Sequence, residues 1–246
     1  MKNDINITDS IRVTIDRFPK SYIFTYNDFL TKVDSKEAII KALNRMVTSG
    51  KIAKISKGRF YKPEVTVFGT LEPSQYQIVK DLLEDDKKRT TGYLTGFSIY
   101  NQLGLTTQVS NTIQIGKNQL RPSFNRGIFK ISFVKQKNVI NKENIPFLQI
   151  LDSIRYIKKI PDAKIPFSCK RLIAILSSKT EIEISTLVRL SLNYPPATRA
   201  LLGAMLEENG FESQSQILRN SLNFISTYEF KDLNEVLSNT EKWKIK

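Results

Sequence analysis

Apolar residues recur in helical register from the start of the chain. Ile7, Ile11 and Ile15 stand at i, i+4 and i+8, with Thr8 or Asp9 placed to cap and Phe18-Pro19 as the stop. Ser21 to Thr25 is β-branched and aromatic and predicts a brief strand. Tyr26 to Lys32 reads as a second short helix with Phe29 and Leu30 inward. A third helix, Lys36 to Ser49, is capped by Asp34 or Ser35 and stopped by Gly50. Its stripe is Ile39, Leu43, Met46 and Val47, and Glu37, Lys41, Asn44, Arg45 and Thr48 share the opposite side. Ile52, Ile55 and Phe60 then predict two strands around a turn at Ser56-Lys57-Gly58, and Pro63 closes the unit. Three helices followed by a basic hairpin is the order of a winged helix-turn-helix, here assigned to residues 1–63.

From residue 64 the pattern changes to a mixed α/β domain ending in helices, so the expected class is α+β. Pro73 to Leu83 predicts a helix with Tyr76, Val79, Leu82 and Leu83 on its apolar side. Tyr93 to Leu103 reads as another, stopped at Gly104. Thr112 to Ile115 and Ile128 to Val134 alternate as strands of a small sheet, about residues 110–135, joined by a loop holding Lys117, Arg121 and Arg126. Residues 146–246 read as helical: Pro146 to Ile160, a segment opening at Pro166, Ile182 to Leu192, Pro196 to Glu208 and Ser213 to Ile225, with a tail carrying Trp243.

Composition removes much of conventional catalysis. The 246 residues include no His and one Cys. A Ser-His-Asp triad, an HExxH zinc site, a CxxC pair, a zinc finger and an intramolecular disulfide are therefore excluded. No apolar run approaches the roughly 20 residues that span a bilayer, and Met1 to Val13 lacks the apolar stretch of a signal peptide, so a cytoplasmic protein is expected.

The net charge of +14 points to a polyanionic partner. Residues 1–63 hold 13 basic and 6 acidic residues, a net of +7, and residues 64–246 hold 25 and 18, also +7 over nearly three times the length. The density falls on the winged helix. Its expected DNA contacts are Lys36, Lys41, Asn44 and Arg45 on the third helix and Lys54, Lys57, Gly58 and Arg59 on the wing, with Lys117, Arg121 and Arg126 as a second basic surface. Glu37 opposes this reading, since a carboxylate on the groove-facing side repels phosphate unless a cytosine amine donates to it.

Other features point to ordinary structure. The mixed run Glu84 to Arg89 offers clustered carboxylates, but consecutive positions do not share one face, and a solvated loop explains it. Gly92 and Gly96 match neither GxxxxGK[ST] nor GxGxxG. Cys169 reads as a small buried hydrophobe. No catalytic residue, metal or cofactor is expected.

The stretch TGYLTGFSIYNQLGLTTQVSNTIQIGKN, Thr91 to Asn118, resembles the AbiEi family of antitoxins from bacterial type IV toxin–antitoxin systems, and GKIAKISKGRFYKP, Gly50 to Pro63, is similar to that family's wing. The resemblance covers about residues 5–140. It implies an N-terminal winged helix and a C-terminal antitoxin domain, here residues 64–246. It also implies repression of the protein's own operon and opposition to a nucleotidyltransferase-like toxin, a phage-defence role. Lys54, Lys57, Gly58 and Arg59 map onto the wing contacts, and Tyr93 to Val109 onto the core of the antitoxin domain. Members often carry His in the segment matching Ser98 to Leu105; this chain has none, so no role of that His transfers.

The expected partners are double-stranded operator DNA and, directly or functionally, the toxin, for a monomer or weak dimer. Two alternatives stay open. One is an enzyme acting on nucleic acid or on the toxin, a nuclease or phosphotransferase, for which Asp152, Asp162, Glu181 and Glu183 are the available carboxylates. The other is a winged-helix adaptor that contacts a protein instead of DNA.

Overall fold

The Ile11 and Ile15 stripe forms helix α1 (Ile7–Asp16) in a computed structural model that describes residues 7–246 apart from 32, 34 and 68. Strand β1 (Ile23–Phe24), a single 3-10 turn at Tyr26–Phe29, helix α2 (Lys36–Thr48) and the hairpin β2 (Ala53–Ser56) and β3 (Arg59–Tyr61) follow. The strands form an antiparallel sheet in the order β1-β3-β2, with Ile23 opposite Tyr61 and Lys54 opposite Phe60. This is the winged-helix arrangement. Ile11, Ile15, Phe24, Phe29, Ile39, Leu43, Ile52 and Phe60 fill its core.

The boundaries of α2 have local causes. The Ser35 hydroxyl accepts from the Ala38 amide at 3.3 Å; residue 34, the other expected cap, lies outside the described residues. At the far end Gly50 takes φ +72, its amide donates to the Val47 carbonyl, and the Lys51 amide donates to the Met46 carbonyl. Those two bonds make a Schellman stop.

The second expected helix shrinks to the 3-10 turn. Thr25 and Asp28 close a capping box around it, and Leu30, expected inward, is exposed. The end of that expected helix, at residue 32, lies outside the described residues.

The chain divides by its internal contacts into residues 1–80 with 125–128, and residues 81–124 with 129–246. The first unit thus continues past the expected boundary at Pro63. It takes in a short exposed hairpin, β4 (Glu64–Thr66) and β5 (Gly69–Leu71), and the start of helix α3 (Gln75–Leu83). In α3 Ile78 is buried and Tyr76 is exposed, the reverse of the side assigned to Tyr76 from the pattern.

Beyond α3 a four-stranded sheet runs in the order β6 (Gly92–Thr95), β7 (Thr112–Lys117), β9 (Phe129–Lys135) and β8 (Phe124–Arg126). β6 pairs antiparallel with β7, and β7 parallel with β9. The single helix expected over Tyr93 to Leu103 is instead β6 followed by helix α4 (Phe97–Gln102). Gly96 causes the break: its φ is +61, and a Cβ there would lie 1.8 Å from the Gln114 side chain.

Five α-helices follow in the second unit: α5 (Ile145–Arg155), α6 (Ile165–Ser177), α7 (Glu181–Ser191), α8 (Pro196–Glu208) and α9 (Glu212–Asn220). They share one apolar core that includes Tyr93, Leu148, Leu172, Leu187, Leu202 and, from the tail, Trp243. Helices on a small mixed sheet make the class α+β, with a largely helical C-terminal part.

Candidate nucleic-acid interface

Burial of Ile39, Ala42, Leu43 and Met46 turns the other side of α2 to solvent, where Lys36, Glu37, Lys41, Asn44, Arg45 and Thr48 are all exposed. Lys36 is partly committed, its ammonium 4.6 Å from the centroid of the Tyr26 ring. On the hairpin, Lys54 and Lys57 are exposed, Gly58 makes the tip at φ +74, and Arg59 is half-buried and engaged.

Carboxylates of this unit are drawn to other cations: Asp9 pairs with Arg12 at 3.1 Å, Asp16 with Lys51 at 3.8 Å and Glu64 with Lys20 at 3.3 Å. Among the described residues no carboxylate pairs with Lys41, Arg45, Lys54 or Lys57. One helix face and one hairpin therefore present four uncompensated cations and an amide, the groups that meet phosphates and base edges. Glu37 stays on the same exposed side.

The second basic surface does not form as expected. Arg126 is 5% exposed and donates to the Ile78 carbonyl, so it is an internal structural arginine. Lys117 is half-buried and donates to the Thr91 hydroxyl at 3.3 Å; burial, then repulsion from Arg121, pulls its pKa below the ordinary ammonium value. Arg121 is exposed, with its guanidinium 5.1 Å from the centroids of both Phe124 and Phe133.

The carboxylates of the enzyme alternative do not converge. Asp162 accepts from Gln108, Glu181 is exposed, and Glu183 closes the cap of α7 with Thr180 while pairing with Lys179 at 2.9 Å. Asp85, in the acidic run, accepts from the backbone amides of Lys87 and Arg89 and pairs with the Arg89 side chain, and these bonds, led by the Arg89 amide, lower its pKa. No group of three or more acidic, Cys or His residues is placed to hold a metal among the described residues. Cys169 is fully buried and its thiol is pushed up to about 12, first by burial and then by Glu208.

Asp152 is different. It is fully buried, and its Oδ2 accepts from the Tyr93 hydroxyl at 2.7 Å and the Thr95 hydroxyl at 2.8 Å, while Oδ1 accepts from the Tyr194 hydroxyl at 2.9 Å. The Gln136 amide donates to both phenol oxygens at 2.8 Å. Burial raises the Asp152 pKa against the pull of these donors, and it keeps both tyrosines protonated. From the sequence Asp152 stands only among the carboxylates available to the enzyme alternative. The signal for a buried node was a lone carboxylate between Leu151 and Ile154 in an apolar helix.

A winged helix with an open cationic face, joined in one chain to an α+β unit, defines the class. The chain belongs to the family described as a family of unknown function (DUF6088), which matches residues 10–184. A crystal structure of the RV2827C protein from Mycobacterium tuberculosis is similar in fold, with a TM-score of 0.56 at 12% sequence identity over 89% of this chain and 82% of that one. No curated protein matches the chain. No helix among the described residues is long and apolar enough to cross a membrane.

Proposed function

We propose that this protein binds duplex DNA through its N-terminal unit and serves as the autorepressor and antitoxin of a type IV toxin–antitoxin system in the cytoplasm, without a catalytic step of its own. One observation carries the DNA reading: Lys41, Asn44 and Arg45 on α2 and Lys54 and Lys57 on the wing are exposed together, with no carboxylate among the described residues paired to their cations. A helix of this width enters a major groove, and a hairpin tip reaches the flanking backbone. The antitoxin reading is supported by the resemblance of Thr91 to Asn118 and of the wing to AbiEi proteins. It gives residues 64–246 the task of opposing a nucleotidyltransferase-like toxin.

The test is fluorescence anisotropy of the full chain on DNA from upstream of its own operon, beside a scrambled duplex and across a salt series. Preference for the upstream duplex, lost in Arg45→Ala and Lys57→Ala with unchanged melting, supports repression. Equal weak binding to both duplexes turns the winged helix into a protein-contacting module. Co-expression with the product of the neighbouring gene checks the antitoxin half: failure to restore growth removes it.

A further inference from the structure

The second unit holds a cavity of about 370 Å³ whose charged lining residues are Lys135, Lys137, Arg155 and Arg199. Among the described residues no carboxylate lines it. The four cations come from three places: the end of β9 and the residues after it, the last turn of α5, and the first turn of α8. Four like charges around one cavity repel each other, so an arrangement that gathers them needs an anion to complete it.

The hydrogen bonding shows the same shortage of acceptors. Arg199 spends Nη1 on the Ser221 carbonyl at 3.0 Å, but its Nε is buried with no acceptor. Among the described residues Arg155 makes one long bond, 3.4 Å, to the Lys135 carbonyl, with its guanidinium 5.0 Å from the centroid of the Tyr156 ring, while the Lys135 ammonium donates to the Asn118 carbonyl. Lys137 is exposed and has no partner among the described residues. Pro195 and Pro196 open α8 at the rim, so the positive end of that helix dipole faces the same space.

The floor is rigid. Tyr194 and Gln136 line the cavity and are the residues that Asp152 and its hydrogen bonds hold from below. Asn193 is fixed by its amide donating to Asn138 at 2.7 Å. A site whose walls are set before a ligand arrives loses little ordering entropy on binding.

We propose that this cavity binds the phosphoryl group of a small soluble phosphate ester, with nucleoside phosphates the class that fits best. Their phosphates meet the four cations and the α8 terminus, and the flat face of their base has Leu192, Pro195 and Pro196 to lie against. A volume of about 370 Å³ is at the small end of ligand pockets, which favours a compact soluble ligand over a strand of nucleic acid.

Isothermal titration of the full chain with ATP, AMP and inorganic phosphate tests this, with thermal melting as a second readout. Saturable binding near one equivalent is expected for ATP and AMP, with a rise in melting temperature and weaker binding of phosphate alone. Lys137→Gln, at an exposed residue with no partner among the described residues, is expected to weaken nucleotide binding by about tenfold at unchanged melting of the free protein. The double variant Lys54→Ala/Lys57→Ala is expected to bind nucleotide as the wild type does, which separates this site from the DNA reading. No saturable binding or melting shift with any of the three probes overturns the proposal. So does nucleotide binding that Lys137→Gln leaves unchanged, or a Lys137→Gln defect confined to duplex DNA.

Discussion

Replacing Asp152 by alanine leaves Tyr93, Thr95 and Tyr194 without the carboxylate that accepts from all three hydroxyls. A buried donor left unsatisfied costs about 1–3 kcal/mol. Tyr194 has a second acceptor within reach, the Leu148 carbonyl at 3.4 Å. Tyr93 and Thr95 have no such fallback in the bonds of this node, and Gln136 is a donor to the phenols and cannot accept through the same nitrogen. Two orphaned donors and a small void therefore set the loss at about 3–5 kcal/mol, a large share of the roughly 5–15 kcal/mol that holds a domain folded.

Asparagine separates acceptor count from charge. Its carbonyl oxygen in the Oδ2 place keeps Tyr93 and Thr95 satisfied, and its amide in the Oδ1 place donates to Tyr194, whose hydroxyl turns to Leu148. The expected loss is about 1 kcal/mol, because the weaker neutral bonds are offset by relief of a buried charge. Urea unfolding followed by circular dichroism measures both variants. Asparagine as damaging as alanine refutes the reasoning, since the charge and not the number of acceptors would then hold the node.

The pH dependence carries the same test in another form. Burial raises the folded-state pKa of Asp152 above its ordinary value of 3.8. Its contribution to stability is thus fully present below that value and declines as pH rises through the folded pKa. The stability of the wild type relative to Asp152→Asn should fall across that window and flatten above it.

Three further outcomes follow from the packing and charge. A Cβ on Gly203 would lie 2.1 Å from the Trp243 ring, which is 1% exposed, so Gly203→Ala should cost about 1–3 kcal/mol in urea unfolding and Trp243→Ala about 3–5 kcal/mol. Cys169, fully buried with a thiol pushed up to about 12, should resist alkylation at pH 8 in native protein and react fully in urea, as mass spectrometry would report. On operator DNA, each phosphate neutralised contributes about −0.9 to the slope of log affinity against log salt, so Lys54→Ala/Lys57→Ala should make the slope shallower by about 1.8; an unchanged slope removes the wing from the contact.

The first unit was legible because its signals are local. The Ile39, Leu43 and Met46 stripe, the Ser35 cap and the Gly50 stop lie within one helix, and burial of the stripe settled which side of α2 faces solvent. The junction between β6 and α4 was not legible, because Tyr93 to Leu103 carries enough apolar residues for a helix. Only the approach of Gln114 shows why Gly96 must break it. The Asp152 node was hidden for a related reason: Tyr93, Thr95, Gln136, Asp152 and Tyr194 come from separate elements, and nothing in their spacing pairs them.

The basic excess of the second part shows what a count of charges can and cannot do. Residues 64–246 carry a net of +7, and the sequence suggested the loop from Lys117 to Arg126 as its focus because those cations are neighbours along the chain. Folding uses them differently: Arg126 is buried on a carbonyl, Lys117 is half-buried on Thr91 and Arg121 lies beside two phenylalanine rings. The cations that do converge are Lys135, Lys137, Arg155 and Arg199, up to 64 positions apart in the chain. The Asp152 node fixes Tyr194, just before α8, and Gln136, just after β9, as the cavity floor between these cations. Four positive groups around the opening make the cavity electropositive, and the node that holds its floor leaves them room to meet there.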